Sequence, residues 1–291
     1  MEFKGSMTAL VTPFKDGKVD EQALRSLVKR QIEGGTSAVV PVGTTGESPT
    51  LDNAEADRVI AIVLEEAKGK MGVIAGTGSY DTRATVERSK AAKKAGADAL
   101  LIVCPYYNKP GQQGIYLHFK AVAEEVGLPV VVYTIPGRSV VNITPDTVAK
   151  LAQVPGIAAV KEASGSLSQM SEIVAACGDK VALLSGDDAL TVPVMAIGGK
   201  GVISVASNII PRAMADIVAA GLKGDFAAAR AIHYKHLELF KALYLETNPI
   251  GIKYAVAKLG WASPEIRLPM TQYEPANAAK LEAAMRGLGM I

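Results

Sequence analysis

The sequence predicts a closed (β/α)8 TIM barrel followed by a helical extension, and three observations carry that prediction. Strand-like and helix-like segments alternate eight times between Met7 and the end of the helix that starts at Pro211. The strands are apolar on both faces rather than alternating, as a parallel sheet covered by helices requires. After Gly224 the strands stop and only helix-like segments follow. An open doubly wound sheet could hold the same units, but eight in succession point to closure. The expected division is a barrel over residues 1–224 and an extension over residues 225–291 packed upon it.

The first strand runs from Met7 toward Phe14 and is stopped by Pro13. Asp20 then opens an amphipathic helix with Ala23, Leu24, Leu27, Val28 and Ile32 on one side, closed by Gly34-Gly35. A second strand, Ser37 to Val42, breaks into Gly43-Thr44-Thr45-Gly46-Glu47-Ser48 before a helix near Asp52. The third strand is expected over Gly72–Ala75 with a helix from Asp81 to Ala95. The fourth spans Ala99–Val103 and leads through Pro105-Tyr106-Tyr107 to a helix from about Gly114. Val130–Ile135 is the fifth strand, and Thr144-Pro145-Asp146 opens its helix with a capping hydroxyl, a first-turn proline and an acid that complements the dipole. The sixth, Ile157 to Val160, ends abruptly in Lys161. Val181–Leu184 and Val202–Val205 complete the set, and three further helices are expected over Phe226–Glu246, Pro249–Leu259 and Glu274–Arg286.

Composition narrows the function. The 291 residues are 49% hydrophobic and 21% charged, the balance of an ordinary globular protein. A formal charge of +2 gives no electrostatic case for nucleic-acid or membrane partners. Cys104 and Cys177 lie in or beside apolar runs, as reduced thiols of a cytoplasmic protein do. Met1 to Ser6 shows no apolar leader, so no secretion signal is expected, and no apolar run reaches a membrane span of about 20 residues. His118, His233 and His236 lie in helix-like segments without a clustered third ligand, so no metal is expected.

The chemistry is expected at the C-terminal strand ends, where barrel enzymes place it. Thr44 and Thr45 come from the second strand, Tyr107 from the fourth, Tyr133 and Arg138 from the fifth, and Lys161 from the sixth. Taken alone, Lys161 reads most readily as a stem that snorkels into solvent. Strand parity argues otherwise: Tyr133 shares the parity of Val131, and Lys161 that of small Ala159, so both are expected inward. A buried lysine loses proton affinity and becomes a nucleophile for a carbonyl carbon, giving a Schiff base. A Thr/Tyr hydroxyl chain carries protons without burying charge, and an arginine holds a carboxylate bidentately. Gly43–Ser48 lacks the lysine of a phosphate loop. Asp187 and Asp188 are read as helix caps.

The motifs GTTGES (43–48), PYYNKP (105–110), YTIPGR (133–138), VKEASG (160–165), SGDD (185–188) and GVISV (201–205) resemble the dihydrodipicolinate synthase family in order and spacing. Asn248-Pro249-Ile250 and Arg267-Leu268-Pro269-Met270 match as well, so the resemblance spans the chain. It implies an aldolase-type lyase condensing pyruvate with aspartate semialdehyde in lysine biosynthesis. Lys161 would carry the Schiff base, with Tyr133, Thr44 and Tyr107 relaying protons, Tyr107 from a neighbouring subunit of a homotetramer. Thr45 would hold the pyruvate carboxylate, Gly186 and Ile203 would shape the pocket, and Arg138 would bind the semialdehyde carboxylate. No cofactor is implied, since lysine is the electron sink. Arg138 favours this reading over N-acetylneuraminate lyase and sugar-acid aldolases. Two departures stand out. Thr134 replaces the family's usual asparagine and, by parity, should face away from the lumen. Asn53, Ala56, Tyr80 and Ala84 stand where lysine-inhibited relatives bind lysine through polar groups, which implies weak inhibition or none.

Overall fold

Short apolar strands separated by capped helices leave one economical arrangement, a sheet closed on itself with its helices outside. The computed structural model covers residues 1–291. Its strands are β1 (Gly5–Ala9), a separate antiparallel hairpin β2 (Phe14–Lys15) and β3 (Lys18–Val19), then β4 (Ala38–Val40), β5 (Gly72–Gly76), β6 (Ala99–Val103), β7 (Val130–Thr134), β8 (Ile157–Glu162), β9 (Ala182–Ser185) and β10 (Gly201–Ser204). All except β2 and β3 form a closed barrel in the order β1-β10-β9-β8-β7-β6-β5-β4, every neighbouring pair parallel.

The helices start where capping chemistry allows. They are α1 (Glu21–Glu33), α2 (Asn53–Ala67), α3 (Thr82–Ala95), α4 (Gln112–Val126), α5 (Pro136–Ser139), α6 (Pro145–Leu151), α7 (Leu167–Cys177), α8 (Thr191–Ala196), α9 (Pro211–Leu222), α10 (Phe226–Leu243), α11 (Ile250–Lys258) and α12 (Pro275–Gly287). Asp20, Asp52, Asp81, Thr144 and Ser166 each accept a backbone N–H of the first turn that would otherwise lack a partner. Two local features depart from expectation. The first strand ends at Ala9, and the residues after it turn into the β2–β3 hairpin across Asp16-Gly17, both left-handed. Between the fifth strand and the helix opened by Thr144, Pro136 to Ser139 form an additional single turn, α5.

Strand parity divides the interior in two. Met7, Ala9, Ala38, Val40, Ile74, Ala99, Leu101, Val131, Tyr133, Ala159, Leu184 and Ile203 form a closed cluster of their own, the filling of the barrel lumen. The opposite strand faces meet the helices in a second cluster of 61 buried residues. Leu239, Phe240, Ile252, Val256 and Leu281 of α10, α11 and α12 belong to that second cluster. The extension therefore shares the outer core of the barrel.

Candidate active site

Lys161 is 4% exposed and lies opposite Tyr133 in the β7–β8 register. Its Nζ is 4.3 Å from the Tyr133 ring centroid. Both side chains follow the inward parity of Val131 and Ala159, and Ala159, fully buried beneath the lysine, leaves room for its stem. Burial lowers the Lys161 ammonium to about 8; the Asp188 anion works against that drop and Arg138 works with it. The same dry surroundings raise the Tyr133 phenol to about 12, opposed by Arg138 and by a hydrogen bond to Thr44. The pair is thus an amine that gives up its proton more readily than an ordinary lysine beside a phenol that keeps its own, an arrangement suited to attack on a carbonyl with a neighbouring proton donor.

Gly186 follows β9 at the point where a side chain could not fit. A Cβ there would lie 2.6 Å from Ala163 Cβ, 3.1 Å from the Glu162 carbonyl and 3.2 Å from Lys161 Cε. The Gly186 N–H donates to that carbonyl at 2.7 Å, so the backbone lies directly against the lysine stem. Ile203 is fully buried in the lumen cluster. Thr44 lines a small cavity with Ser48, Gly76, Val103 and Tyr133.

Thr45 and Arg138 are brought together by a residue of the extension. Asn248 Nδ2 donates to Thr45 Oγ1 at 2.9 Å, and Arg138 donates from Nη2 to the Asn248 carbonyl at 2.5 Å. The extension is anchored nearby: Lys253 pairs with Glu47, both side chains almost wholly buried, and the Arg267 N–H donates to the other Glu47 oxygen at 3.0 Å. Glu47 belongs to the same loop as Thr44 and Thr45.

Asp187 caps a short turn by accepting from Ala189 N–H at 2.8 Å. Asp188 does something else. It is 1% exposed, its Oδ2 accepts from Val205 N–H at 3.2 Å and Ala206 N–H at 2.9 Å, and its Oδ1 is buried without a partner. Burial raises its carboxyl to about 6, opposed by these hydrogen bonds and one from Ser204. The expectation of two caps is therefore corrected for Asp188, which is a buried anion at the foot of the site. Thr134 faces outward as parity requires: its hydroxyl accepts from Ile143 N–H at 3.2 Å and meets Asn142 Oδ1 at 3.3 Å.

Comparison with known proteins shows the family and the fold. The dihydrodipicolinate synthetase family model matches residues 2–287. The chain belongs to that family. It is 53% identical over 289 residues to the 4-hydroxy-tetrahydrodipicolinate synthase of Geotalea uraniireducens, covering 99% of this chain and all of that protein. The crystal structure of dihydrodipicolinate synthase from Aquifex aeolicus superposes with a TM-score of 0.97 at 47% identity, over 99% of both chains. The chloride-inhibited dihydrodipicolinate synthase of Acinetobacter baumannii, complexed with pyruvate, matches with a TM-score of 0.97 at 42% identity, again over 99% of both.

Seven of the eight expected site residues gather at this end of the barrel: Lys161, Tyr133, Thr44, Thr45, Gly186, Ile203 and Arg138. Tyr107 does not join them within one chain. It is 89% exposed and left-handed at φ 66°, so its ring stands out in solvent. Sequence reasoning missed Asn248 and Asp188 as members of the site. For Asn248 the signal was its place in a matching tail motif. For Asp188 the local sequence held none, because its partners, Val205 and Ala206, come from another part of the chain.

Proposed function

We propose that this chain condenses pyruvate with aspartate semialdehyde through a Schiff base on Lys161, giving 4-hydroxy-tetrahydrodipicolinate for lysine biosynthesis. The observation that carries the reading is the buried Lys161 amine, lowered to about 8 and held 4.3 Å over Tyr133. The neutral amine adds to the ketone carbon of pyruvate, and loss of water leaves an iminium that draws electrons from the methyl group. Losing a methyl proton gives an enamine, whose carbon adds to the aldehyde of the semialdehyde. The amino group of that substrate then displaces Lys161 and closes the ring. No metal or organic cofactor is needed to balance these steps.

Tyr133 and Thr44 form the inner part of the proton path, and Tyr107 joins it from a second copy of the chain. Its nearly complete exposure in a single chain fits a side chain whose partners lie elsewhere. A tetramer of two tight dimers is the assembly that the family resemblance implies. Thr45 holds the pyruvate carboxylate and Arg138 that of the semialdehyde, the two anion sites being linked through Asn248. Gly186 and Ile203 shape the wall beside the lysine. Two buried free cysteines suit a cytoplasmic location, and no helix is long and apolar enough to cross a membrane.

The test is pyruvate consumption with aspartate semialdehyde, run beside N-acetylmannosamine and glyceraldehyde. Turnover with the semialdehyde alone is expected. Turnover of another aldehyde with an intact pyruvate adduct would reassign the chain to a sister aldolase, and binding without turnover would make it a pyruvate-binding protein.

A further inference from the structure

We infer that Asn248 is a positioning residue that sets the direction of the Thr45 hydroxyl proton, aiming it at the carboxylate of pyruvate. The inference rests on the reading of Thr45 as the pyruvate-carboxylate ligand and adds a residue from the helical extension to it.

A hydroxyl has one proton to donate and lone pairs to accept with. Asn248 Nδ2 occupies a lone pair of Thr45 Oγ1 at 2.9 Å. Thr45 is 2% exposed and Asn248 7% exposed, so water does not compete freely for either group. With its oxygen engaged as acceptor, the Thr45 O–H is left to donate, which is what a carboxylate, an acceptor only, requires. The opposite polarity would be harmful. A threonine donating to an acceptor at position 248 would present only lone pairs to the anion, and the buried site would repel what it must bind.

The placement of Asn248 is itself fixed. Its carbonyl accepts from Arg138 Nη2 at 2.5 Å, so the main chain and side chain of one residue serve the two anion-binding groups separately. Beyond it, α11 is tied to the Thr44-Thr45 loop by the buried Lys253–Glu47 pair, and the connection between α11 and α12 by the Arg267 N–H to Glu47. The extension is thereby a brace that holds the carboxylate sites in register with the lysine of β8.

The division of labour gives the test. Asn248→Asp keeps the shape and the main-chain carbonyl but replaces the donor with an acceptor that takes the Thr45 proton. It is expected to raise the pyruvate KM tenfold or more and to leave the semialdehyde KM within about twofold. Thr45→Val should raise the pyruvate KM similarly, and adding the neutral Asn248→Ala to it should raise the KM no further, because the two act through one hydrogen bond. An unchanged pyruvate KM in Asn248→Asp, with Thr45→Val impaired, overturns the inference and leaves the reading of Thr45 intact. An unchanged pyruvate KM in Thr45→Val overturns the reading of Thr45 and the inference with it. Equal rises in both KM values would assign Asn248 a purely structural part and also overturn it. Should Asn248→Asp fail to fold, Asn248→Ala carries the same test with a smaller expected rise, and an unchanged pyruvate KM there overturns the proposal.

Discussion

Asp188→Asn probes the electrostatics of Lys161 directly. The buried anion of Asp188 opposes the fall of the lysine from 10.5 to about 8. Asp188 itself titrates near 6, so it is ionised throughout the range in which Lys161 gives up its proton. At pH 7 an ordinary lysine is neutral to about 0.03%, whereas one at about 8 is neutral to about 10%, a gain of roughly 300-fold. Removing an anion that favours the ammonium by about 1.4 kcal/mol lowers the lysine by about one further unit and makes about half of it neutral at pH 7. Asparagine retains an oxygen for the N–H groups of Val205 and Ala206, so the turn they belong to is preserved. The assay is the initial rate of pyruvate adduct formation, trapped with cyanoborohydride and read by intact mass from about pH 6 to about pH 9.5. The rate at pH 7 should rise about fivefold in the variant, and the midpoint of the pH profile should move from about 8 toward 7. A midpoint that stays in place or moves upward refutes the part given to Asp188. A parent midpoint near 10 would refute the claim that burial unmasks the amine.

Three further outcomes follow from the same geometry. Tyr107→Phe should lower kcat by roughly tenfold or more through loss of a proton carrier, and near-normal turnover would remove Tyr107 from the mechanism. Lys253→Met leaves Glu47 as an uncompensated buried anion and should cost about 3–5 kcal/mol in denaturant unfolding; a loss below about 1 kcal/mol would mean that the pair does not brace the extension. Lysine at sub-millimolar concentration should leave the rate nearly unchanged. Asn53, Ala56 and Ala84 line one groove, and Tyr80 packs edge-on against Tyr106 at a centroid distance of 5.4 Å instead of offering a charge. Half-inhibition in that range would contradict the reading.

The barrel was legible because its signals are local and repeated. Apolar runs mark strands buried on both faces, and Asp20, Asp52, Asp81 and Thr144 mark helix starts through hydrogen bonds made within three residues. Parity was enough to send Tyr133 and Lys161 inward and Thr134 outward, since a two-residue period leaves only two faces to choose between. The hairpin across Asp16-Gly17 escaped notice because two-residue strands carry no periodicity, although the Asp-Gly pair was its available signal. Asp188 was misread for a physical reason. An aspartate before a helical turn caps by default, and only the close approach of β10 makes Val205 and Ala206 its partners. Asn248 lies 203 residues from Thr45, and no local rule relates positions so far apart.

The central claim is that Lys161 is the nucleophile. Its most direct test is peptide mapping after pyruvate and cyanoborohydride treatment of the parent protein and of Lys161→Ala. The account predicts one reduced pyruvate adduct per chain, on the peptide carrying Lys161, and none in the variant. An adduct on another lysine, or its survival in Lys161→Ala, would contradict it.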